Sequence, residues 1–231
     1  MVAMEIRCRA LLFDMDGVLV DSTPAVARVW TAWATERGLD PDDVVRRAHG
    51  RPSIATIREL LPNGDHHAED QAVEKAEIED FQDIVALPGT SQLLSQLPAD
   101  RFAVVTSATR ALAVVRIQAA GFAVPKNLIT ASDIQHGKPH PEPYLRGAAI
   151  LGIPPADCVV IEDAPAGIQS GKAAGARVLA LRTTAADDEL RRAGAAWIVD
   201  DCSAVSLQPL GAPTDGLIFT LHESAAATPN R

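Results

Sequence analysis

Short apolar runs rich in β-branched residues alternate with longer segments of helical periodicity along most of this chain. The runs are residues 11–13, 102–105, 128–130, 158–161, 177–180 and 197–199. Strands that alternate with helices favour parallel pairing through right-handed crossovers. The pattern therefore predicts an α/β fold with a doubly wound, Rossmann-like parallel sheet. A further apolar run at 217–221 predicts one additional strand.

Residues 22–86 interrupt this alternation with helical signals only. Thr23-Pro24 and Asp40-Pro41 each combine an N-cap residue with a first-turn proline, and an acidic helical stretch follows at 68–83. We therefore expect a helical cap inserted after the first strand. The expected domain bounds are 1–21 with 87–231 for the core and 22–86 for the all-helical cap.

The composition indicates a soluble globular protein. The chain has 231 residues, 47% of them hydrophobic, which allows one large or two modest cores. Its net charge of −9 disfavours nucleic acids and anionic membranes as partners, because both would repel it. The three cysteines lack metal-ligand spacing, and no apolar run approaches the roughly 20 residues of a membrane span. We expect a cytoplasmic monomer with reduced thiols.

The first apolar run ends on two carboxylates and a glycine, in the order Asp14-Met15-Asp16-Gly17. Side chains two residues apart lie on the same side of an extended strand, so the two carboxylates would repel each other unless a cation or a turn separates them. Gly17 permits a turn that would move Asp16 out of strand geometry. The pair indicates a divalent metal site, with two solvated acids at a strand end as the alternative for so short a motif.

Polar groups also follow three later runs. Thr106-Ser107 ends the second run, Lys138 lies in the loop after the third, and Glu162-Asp163 ends the fourth. Each has a simpler interpretation on its own, as a helix N-cap, a solvated lysine or helix-capping acids. Because parallel strands bring their carboxyl ends to one edge, the carboxylates there can hold Mg²⁺ and the cations can neutralise a phosphate. The combination predicts a phosphoryl-transfer site.

Four stretches of the chain, in this order, resemble the motifs of the haloacid dehalogenase superfamily. They are FDMDGVLVDS at 13–22, VTS at 105–107, GKPHPEPY at 137–144 and VIEDAPAGI at 160–168, and the match spans nearly the whole chain. The helical segment after the first motif resembles the cap of the β-phosphoglucomutase-like branch. The third and fourth motifs are most similar to those of the glycerol-phosphate, 2-deoxyglucose-phosphate and hexitol-phosphate phosphatases. The resemblance implies a Mg²⁺-dependent phosphatase of small phosphorylated sugars or polyols.

The same resemblance implies roles for the first carboxylate pair and the hydroxyl pair. Asp14 would attack phosphorus to give an aspartyl-phosphate, and Asp16 would protonate the leaving oxygen and then deprotonate water. The Thr106 hydroxyl and the Ser107 backbone N–H would each hold a phosphoryl oxygen.

The resemblance also implies which groups Lys138 and the metal ion would contact. Lys138 would bridge the phosphate and Asp14. Mg²⁺ would be held by Asp14, by a backbone carbonyl near Asp16 and by Asp163, while Glu162 would order a metal-bound water or Lys138.

Substrate specificity is expected from the cap. The candidates for contacts with the leaving group are His49, Gly50, Arg51 and Glu77. The simpler interpretations are a helix C-cap at 49–51 and a solvated helix face at Glu77.

Two other functions use similar residues. β-Phosphoglucomutases carry a histidine twelve residues after the nucleophile, and Val26 occupies that position here, which favours water over a sugar as the phosphoryl acceptor. A receiver-type signalling domain also gathers acids, a hydroxyl and a lysine around Mg²⁺, but it needs no cap.

Overall fold

The computed structural model describes residues 4–48, 51–208 and 216–222. The strands within these residues are β1 (Met4–Cys8), β2 (Ala10–Phe13), β3 (Val20–Asp21), β4 (Val85–Ala86), β5 (Phe102–Val105), β6 (Leu128–Ile129), β7 (Cys158–Glu162), β8 (Arg177–Leu181), β9 (Trp197–Val199), β10 (Val205–Leu207) and β11 (Leu217–Leu221). The α-helices are α1 (Thr23–Glu36), α2 (Pro41–Ala48), α3 (Ser53–Leu60), α4 (His66–Glu79), α5 (Thr90–Ser95), α6 (Arg110–Ala119), α7 (Glu142–Leu151), α8 (Pro165–Ala173) and α9 (Asp187–Ala193). None of the helices within the described residues is long and apolar enough to cross a membrane.

Six strands form one parallel sheet in the order β6-β5-β2-β7-β8-β9. Leu12 of β2 pairs with Ala103 of β5 on one side and with Val160 of β7 on the other. From β2 the chain builds the sheet outward first in one direction and then in the other. The predicted doubly wound α/β sheet is confirmed, and the bounds of its strands agree with the predicted runs to within one residue.

The central strands are buried on both faces because helices cover the sheet from both sides. Along β2, Leu11 and Phe13 pack in one hydrophobic cluster with Val104, while Leu12 packs in the other cluster with Val105. Side chains alternate between the faces of a strand, so a strand buried on both faces must be continuously apolar. The polar residues of these segments are therefore confined to the strand ends.

Helices α1–α4 form the predicted insertion and have a hydrophobic cluster of their own. Trp30 and Trp33 of α1 pack edge to face with ring centroids 5.3 Å apart, and Ile57 of α3 and Val73 of α4 join them. Strands β3 and β4 pair antiparallel where the chain leaves the core and where it returns. A helical cap inserted after the first strand of the parallel sheet is thus confirmed.

The run at 217–221 forms the predicted strand, β11, but it pairs outside the parallel sheet. β11 lies antiparallel between β1 and β10 in a separate three-stranded sheet. The sequence pattern did not predict β1, because only Ile6 and Cys8 of its five residues are buried. Its apolar signal is too short to distinguish a strand from a polar terminus.

Candidate active site

The carboxyl ends of β2, β5 and β7 line a cleft between the sheet and the helical cap. β2 lies between the other two strands, and the chain adds strands first on one side of it and then on the other. Doubly wound sheets bind their ligands at the carboxyl ends of the strands where this change of direction occurs. Asp14 directly follows β2, Thr106 directly follows β5, and Glu162 is the last residue of β7. Polar side chains from three separate parts of the sequence therefore meet at this edge.

Lys138 joins two of the predicted carboxylates. Its Nζ lies 2.7 Å from Asp14 Oδ1 and 2.6 Å from Glu162 Oε1, and its side chain is only 5% exposed. The hydroxyl of Tyr144 also donates to Glu162 Oε1, at 2.7 Å, and the lysine ammonium lies over the Tyr144 ring. The interpretation of Lys138 as a solvated loop residue is therefore wrong.

The site holds more negative than positive charge. Burial raises the pKa of Asp14 to about 7, with Lys138 opposing the effect and the charge of Glu162 adding to it. Burial and the neighbouring Glu162 also raise the pKa of Asp163 well above its usual value. Although burial opposes the charged form of Lys138, Asp14 and Glu162 outweigh it and raise the pKa of the ammonium. One lysine does not balance three acids, and a further cation would stabilise the ionised site.

The acids at this edge of the sheet fit a divalent cation. Carboxylate oxygens of Asp14, Glu162 and Asp163 lie within 4.8 Å of one another. Asp163 Oδ1 is buried without a hydrogen-bond partner, whereas Asp163 Oδ2 accepts from Thr184 Oγ1 at 2.5 Å. A buried carboxylate oxygen without a partner is unfavourable unless a ligand binds it, and Mg²⁺ prefers such hard oxygen donors.

Gly17 makes the predicted turn after the first carboxylate pair. Its φ of +78° lies in the left-handed region, and its N–H donates to the carbonyl of Val20 at 2.8 Å. A Cβ atom on Gly17 would lie 2.0 Å from Asp163 Oδ2, so the close approach of the two segments also requires glycine. The turn therefore places the backbone after Asp16 directly against Asp163.

Asp16 is held by two side chains. Ser22 Oγ donates to Asp16 Oδ1 at 2.6 Å, and Arg116 Nη1 donates to Asp16 Oδ2 at 2.9 Å. The Asp16 side chain is 30% exposed and lines the cleft. A molecule in the cleft can therefore reach this carboxylate while the protein orients both of its oxygens.

Thr106 and Ser107 line the cleft at the end of β5 and do not cap the next helix. Helix α6 begins at Arg110, and its N-cap residue is Thr109. Thr106 Oγ1 instead accepts from the N–H of Ala108 at 3.1 Å. The helix-cap interpretation of Thr106-Ser107 is wrong, and both residues form part of the wall of the cleft.

The first three cap candidates lie in the segment between α2 and α3. His49 and Gly50 lie outside the described residues. Arg51 lines the cleft, and its Nη1 lies 3.0 Å from Glu59 Oε2 with 41% of its own side chain exposed. Arg51 therefore has one partner within the cap and remains accessible to a molecule in the cleft.

Glu77, the fourth cap candidate, is 9% exposed, so its interpretation as part of a solvated helix face is wrong. Its Oε2 lies 3.2 Å from Arg116 Nη2. Burial raises the pKa of Glu77, and the charge of Arg116 opposes that effect. One turn earlier, Glu74 accepts a hydrogen bond from Thr109 Oγ1. Two carboxylates of α4 in the cap therefore contact α6 and its N-cap residue in the core.

Four residues of the site were not predicted from the sequence: Ser22, Arg116, Tyr144 and Thr184. Arg116 offered a signal, because it shares helical spacing with the buried positions 112, 113 and 117 and so must lie on their face. Tyr144 lies in the third motif and is the chain's single tyrosine, but its partner Glu162 is distant in sequence. Ser22 and Thr184 are short polar residues of a kind that is common in turns, and nothing local distinguishes them.

The fold and the site together define a hydrolase class. A family model of haloacid dehalogenase-like hydrolases matches residues 8–175, and the chain belongs to this family. Hexitol phosphatase A of Escherichia coli is 43% identical in an alignment that covers 78% of this chain and 85% of that protein. Glycerol-1-phosphate phosphohydrolase 2 of Saccharomyces cerevisiae is 35% identical in an alignment that covers 95% of this chain and 93% of that protein. The crystal structure of a hydrolase from Pseudomonas syringae superposes with a TM-score of 0.77 at 25% identity, covering 85% of this chain and 94% of that one.

Proposed function

We propose that this hydrolase is a Mg²⁺-dependent phosphatase of small phosphorylated sugars or polyols, and that it acts through an aspartyl-phosphate on Asp14. The observation that carries the proposal is the position of Lys138 Nζ, 2.7 Å from Asp14 and 2.6 Å from Glu162, beside the unpartnered oxygen of Asp163. The similarity to proteins named as a hexitol phosphatase and a glycerol-1-phosphate phosphohydrolase supports the substrate class.

Asp14 supplies the nucleophile in this proposal. One of its carboxylate oxygens attacks phosphorus and forms an acyl-phosphate bond while the bond from phosphorus to the ester oxygen breaks. Water then attacks phosphorus, the bond from phosphorus to the Asp14 oxygen breaks, and inorganic phosphate and the free Asp14 carboxylate result. Lys138 lies beside Asp14 and would neutralise the phosphoryl oxygens. The hydroxyl of Thr106 and the backbone N–H of Ser107, at the neighbouring strand end, would hold those oxygens in place.

Asp16 supplies the acid-base group. It would donate a proton to the leaving ester oxygen in the first step and accept a proton from the attacking water in the second. Such help is typically worth ~10²–10⁴-fold in rate. The partial exposure of Asp16 in the cleft and its fixed orientation by Ser22 and Arg116 support this role.

The metal would be held by Asp14, by Asp163 and by a backbone carbonyl near Asp16. When bound, Mg²⁺ supplies positive charge that offsets the excess of carboxylates and polarises the phosphoryl group. Glu162 uses Oε1 for Lys138 and Tyr144, and its Oε2 accepts from the backbone N–H of Asp163 at 3.0 Å. Of the two roles implied for Glu162, these contacts support the ordering of Lys138.

The cleft favours a small polyhydroxylated ester. Its volume is about 200 Å³, and three carboxylates of α4, those of Asp70, Glu74 and Glu77, line its cap side. Carboxylates accept hydrogen bonds from hydroxyl groups and repel a second phosphate or carboxylate on the substrate. Val26 also lines the cleft, at the position where the mutases of this branch carry a histidine, and this supports water as the acceptor.

A panel of phosphate esters tests the proposal. Phosphate release would be measured with hexitol, glycerol and 2-deoxyglucose phosphates, and compared with a nucleoside monophosphate and with phosphoglycolate. We expect the neutral polyol and sugar esters to have the highest kcat/KM and to require Mg²⁺. Faster hydrolysis of the nucleotide or of phosphoglycolate would contradict the substrate class. Conversion of β-glucose 1-phosphate to glucose 6-phosphate without phosphate release would favour the mutase.

A further inference from the structure

Arg116 connects the proposed acid-base residue to the cap. Arginine is rarely buried unless its charge is paired, and Arg116 on α6 is only 6% exposed. Its Nη1 lies 2.9 Å from Asp16 Oδ2, and its Nη2 lies 3.2 Å from Glu77 Oε2. Asp16 belongs to the turn after β2 and Glu77 to cap helix α4. A single guanidinium therefore bridges the two parts of the molecule that face each other across the cleft.

Stability alone does not explain this arrangement. The Nε of Arg116 is buried without a hydrogen-bond partner, and an unpaired buried donor destabilises the folded state. Buried ion pairs can often be replaced by apolar residues of similar volume without loss of stability. On the same helix, Arg110 makes its ion pair with Asp133 at the surface, with 51% of its side chain exposed. The buried position of Arg116 therefore indicates a role for its contact with Asp16.

The orientation of Asp16 depends on residues that are connected to the cap. Ser22, which donates to Asp16 Oδ1, directly precedes the first cap helix α1. Arg116, which donates to Asp16 Oδ2, is paired with Glu77 of α4. If the cap moves away, Arg116 loses one of its two anionic partners, and the remaining pair must be re-solvated. The position of the cap and the orientation of Asp16 are therefore linked through one side chain.

We propose that Arg116 is a positioning residue for the acid-base step, and that its ion pair with Glu77 makes the orientation of Asp16 depend on the cap lying over the cleft. The hydrogen bond to Glu74 from Thr109, the N-cap residue of α6, adds a second contact between α4 and the same part of the core. This inference rests on the proposed function, because it takes Asp16 as the group that protonates the leaving oxygen.

Two substrates that differ in their need for a proton test the proposal. p-Nitrophenolate leaves phosphorus readily without protonation, whereas a polyol oxygen requires it, and kcat/KM reports the step in which the leaving group departs. We expect Arg116→Met to lower kcat/KM for a polyol phosphate at least about tenfold more than for p-nitrophenyl phosphate. Arg116→Lys should recover part of the loss, because an ammonium can still pair with one carboxylate.

Arg110→Met is the matched control, since it removes an arginine of the same helix whose ion pair is exposed. It should leave both values of kcat/KM within about twofold of the wild type. An equal loss on both substrates in Arg116→Met would overturn the proposal, because it would show that Arg116 supports the fold or the phosphoryl site in general.

A double variant separates this inference from the proposed function. On an Asp16→Asn background, Arg116→Met should lower kcat/KM by less than about twofold further, because Arg116 acts through Asp16. A full additional loss would overturn the positioning role. If Asp16→Asn itself keeps the wild-type kcat/KM for a polyol phosphate, the acid-base assignment of the proposed function fails instead.

Glu77→Gln tests the link to the cap and remains informative if Arg116→Met does not fold. It preserves side-chain volume and removes the cap's charge from Arg116. We expect a smaller loss with the same dependence on the leaving group. Glu79→Gln, on the same helix but paired at the surface with Lys75, is its control and should behave as the wild type. A folded Glu77→Gln variant with wild-type kcat/KM on both substrates would overturn the link.

Discussion

A Cβ atom at Gly167 would lie 1.7 Å from Glu162 Oε1. The first turn of α8 therefore passes directly over the carboxylate that holds Lys138, at a distance that only glycine allows. Close packing of this helix against the sheet is predictable from its glycines, but the identity of the atom beneath Gly167 is not. The close packing of α8 against the sheet and the position of Glu162 therefore both depend on a glycine at position 167.

Substitution of Gly167 should disable the site more than it destabilises the fold. Gly167→Ala must displace Glu162 and with it Lys138, and displacement by ~1 Å can cost ~10²-fold in rate. We expect kcat with p-nitrophenyl phosphate to fall at least about tenfold. Gly171→Ala, on the same helix, meets only valine methyl groups at 3.1 Å and should lower the free energy of unfolding with little change in kcat. Wild-type kcat in Gly167→Ala would show that Glu162 is not required where it lies.

Asp14→Asn tests the nucleophile. An amide cannot attack phosphorus, so the variant should fold normally and lose essentially all turnover, as measured by phosphate release together with circular dichroism. Asp21→Asn is the control, because the Asp21 side chain accepts a hydrogen bond from Thr23 N outside the charged cluster, and an amide oxygen can replace it. A folded Asp14→Asn variant that kept a tenth of the wild-type rate would exclude Asp14 as the nucleophile.

Removal of divalent metal should reduce both activity and stability. Because burial raises the pKa of Asp14 and of Asp163, their ionised forms are unfavourable in the folded protein, and a bound cation offsets this. We expect EDTA to abolish phosphate release, and Mg²⁺ to restore it and to raise Tm, by an amount equivalent to ~2.7 kcal/mol at a concentration of ~100 times Kd.

The corresponding variant is Asp163→Asn, in which the buried charge is removed. Its Tm should respond much less to Mg²⁺, and its activity should require a higher Mg²⁺ concentration than that of the wild type. Activity that is indifferent to EDTA in the wild type would instead indicate a hydrolase that uses no metal.

Arg51→Ala tests the contribution of the cap to specificity. Arg51 lines the cleft, where it can donate to substrate hydroxyls, so we expect kcat/KM for sugar or polyol phosphates to fall at least about tenfold, or ~1.4 kcal/mol of transition-state binding. Hydrolysis of p-nitrophenyl phosphate should be nearly unchanged. Arg47→Ala is a close control, because Arg47 pairs with the same Glu59. If the two variants lose equal activity, the effect comes from the shared ion pair and not from substrate contact.

The elements of the core were predictable because their signals are local. A strand buried on both faces must be continuously apolar, so β2, β5 and β7 are visible as short runs. β1 was not predicted, because its burial depends on pairing with β11, more than 200 residues away in the chain. Cap helices α1 and α2 were visible through the first-turn prolines Pro24 and Pro41, whose effect is confined to one turn of the helix.

The sequence by itself determined the groups that follow the strands of the sheet, because the topology of a parallel sheet brings the ends of its strands to one edge. Asp14, Thr106, Lys138 and Asp163 could therefore be named before their distances were known. Only the tertiary structure decided how the buried charges are paired: Lys138 with Glu162, and Arg116 with both Asp16 and Glu77. The physical reason is that a buried charge takes its partner from whatever segment packs against it, and that choice depends on helix positions and side-chain orientations set by the whole core.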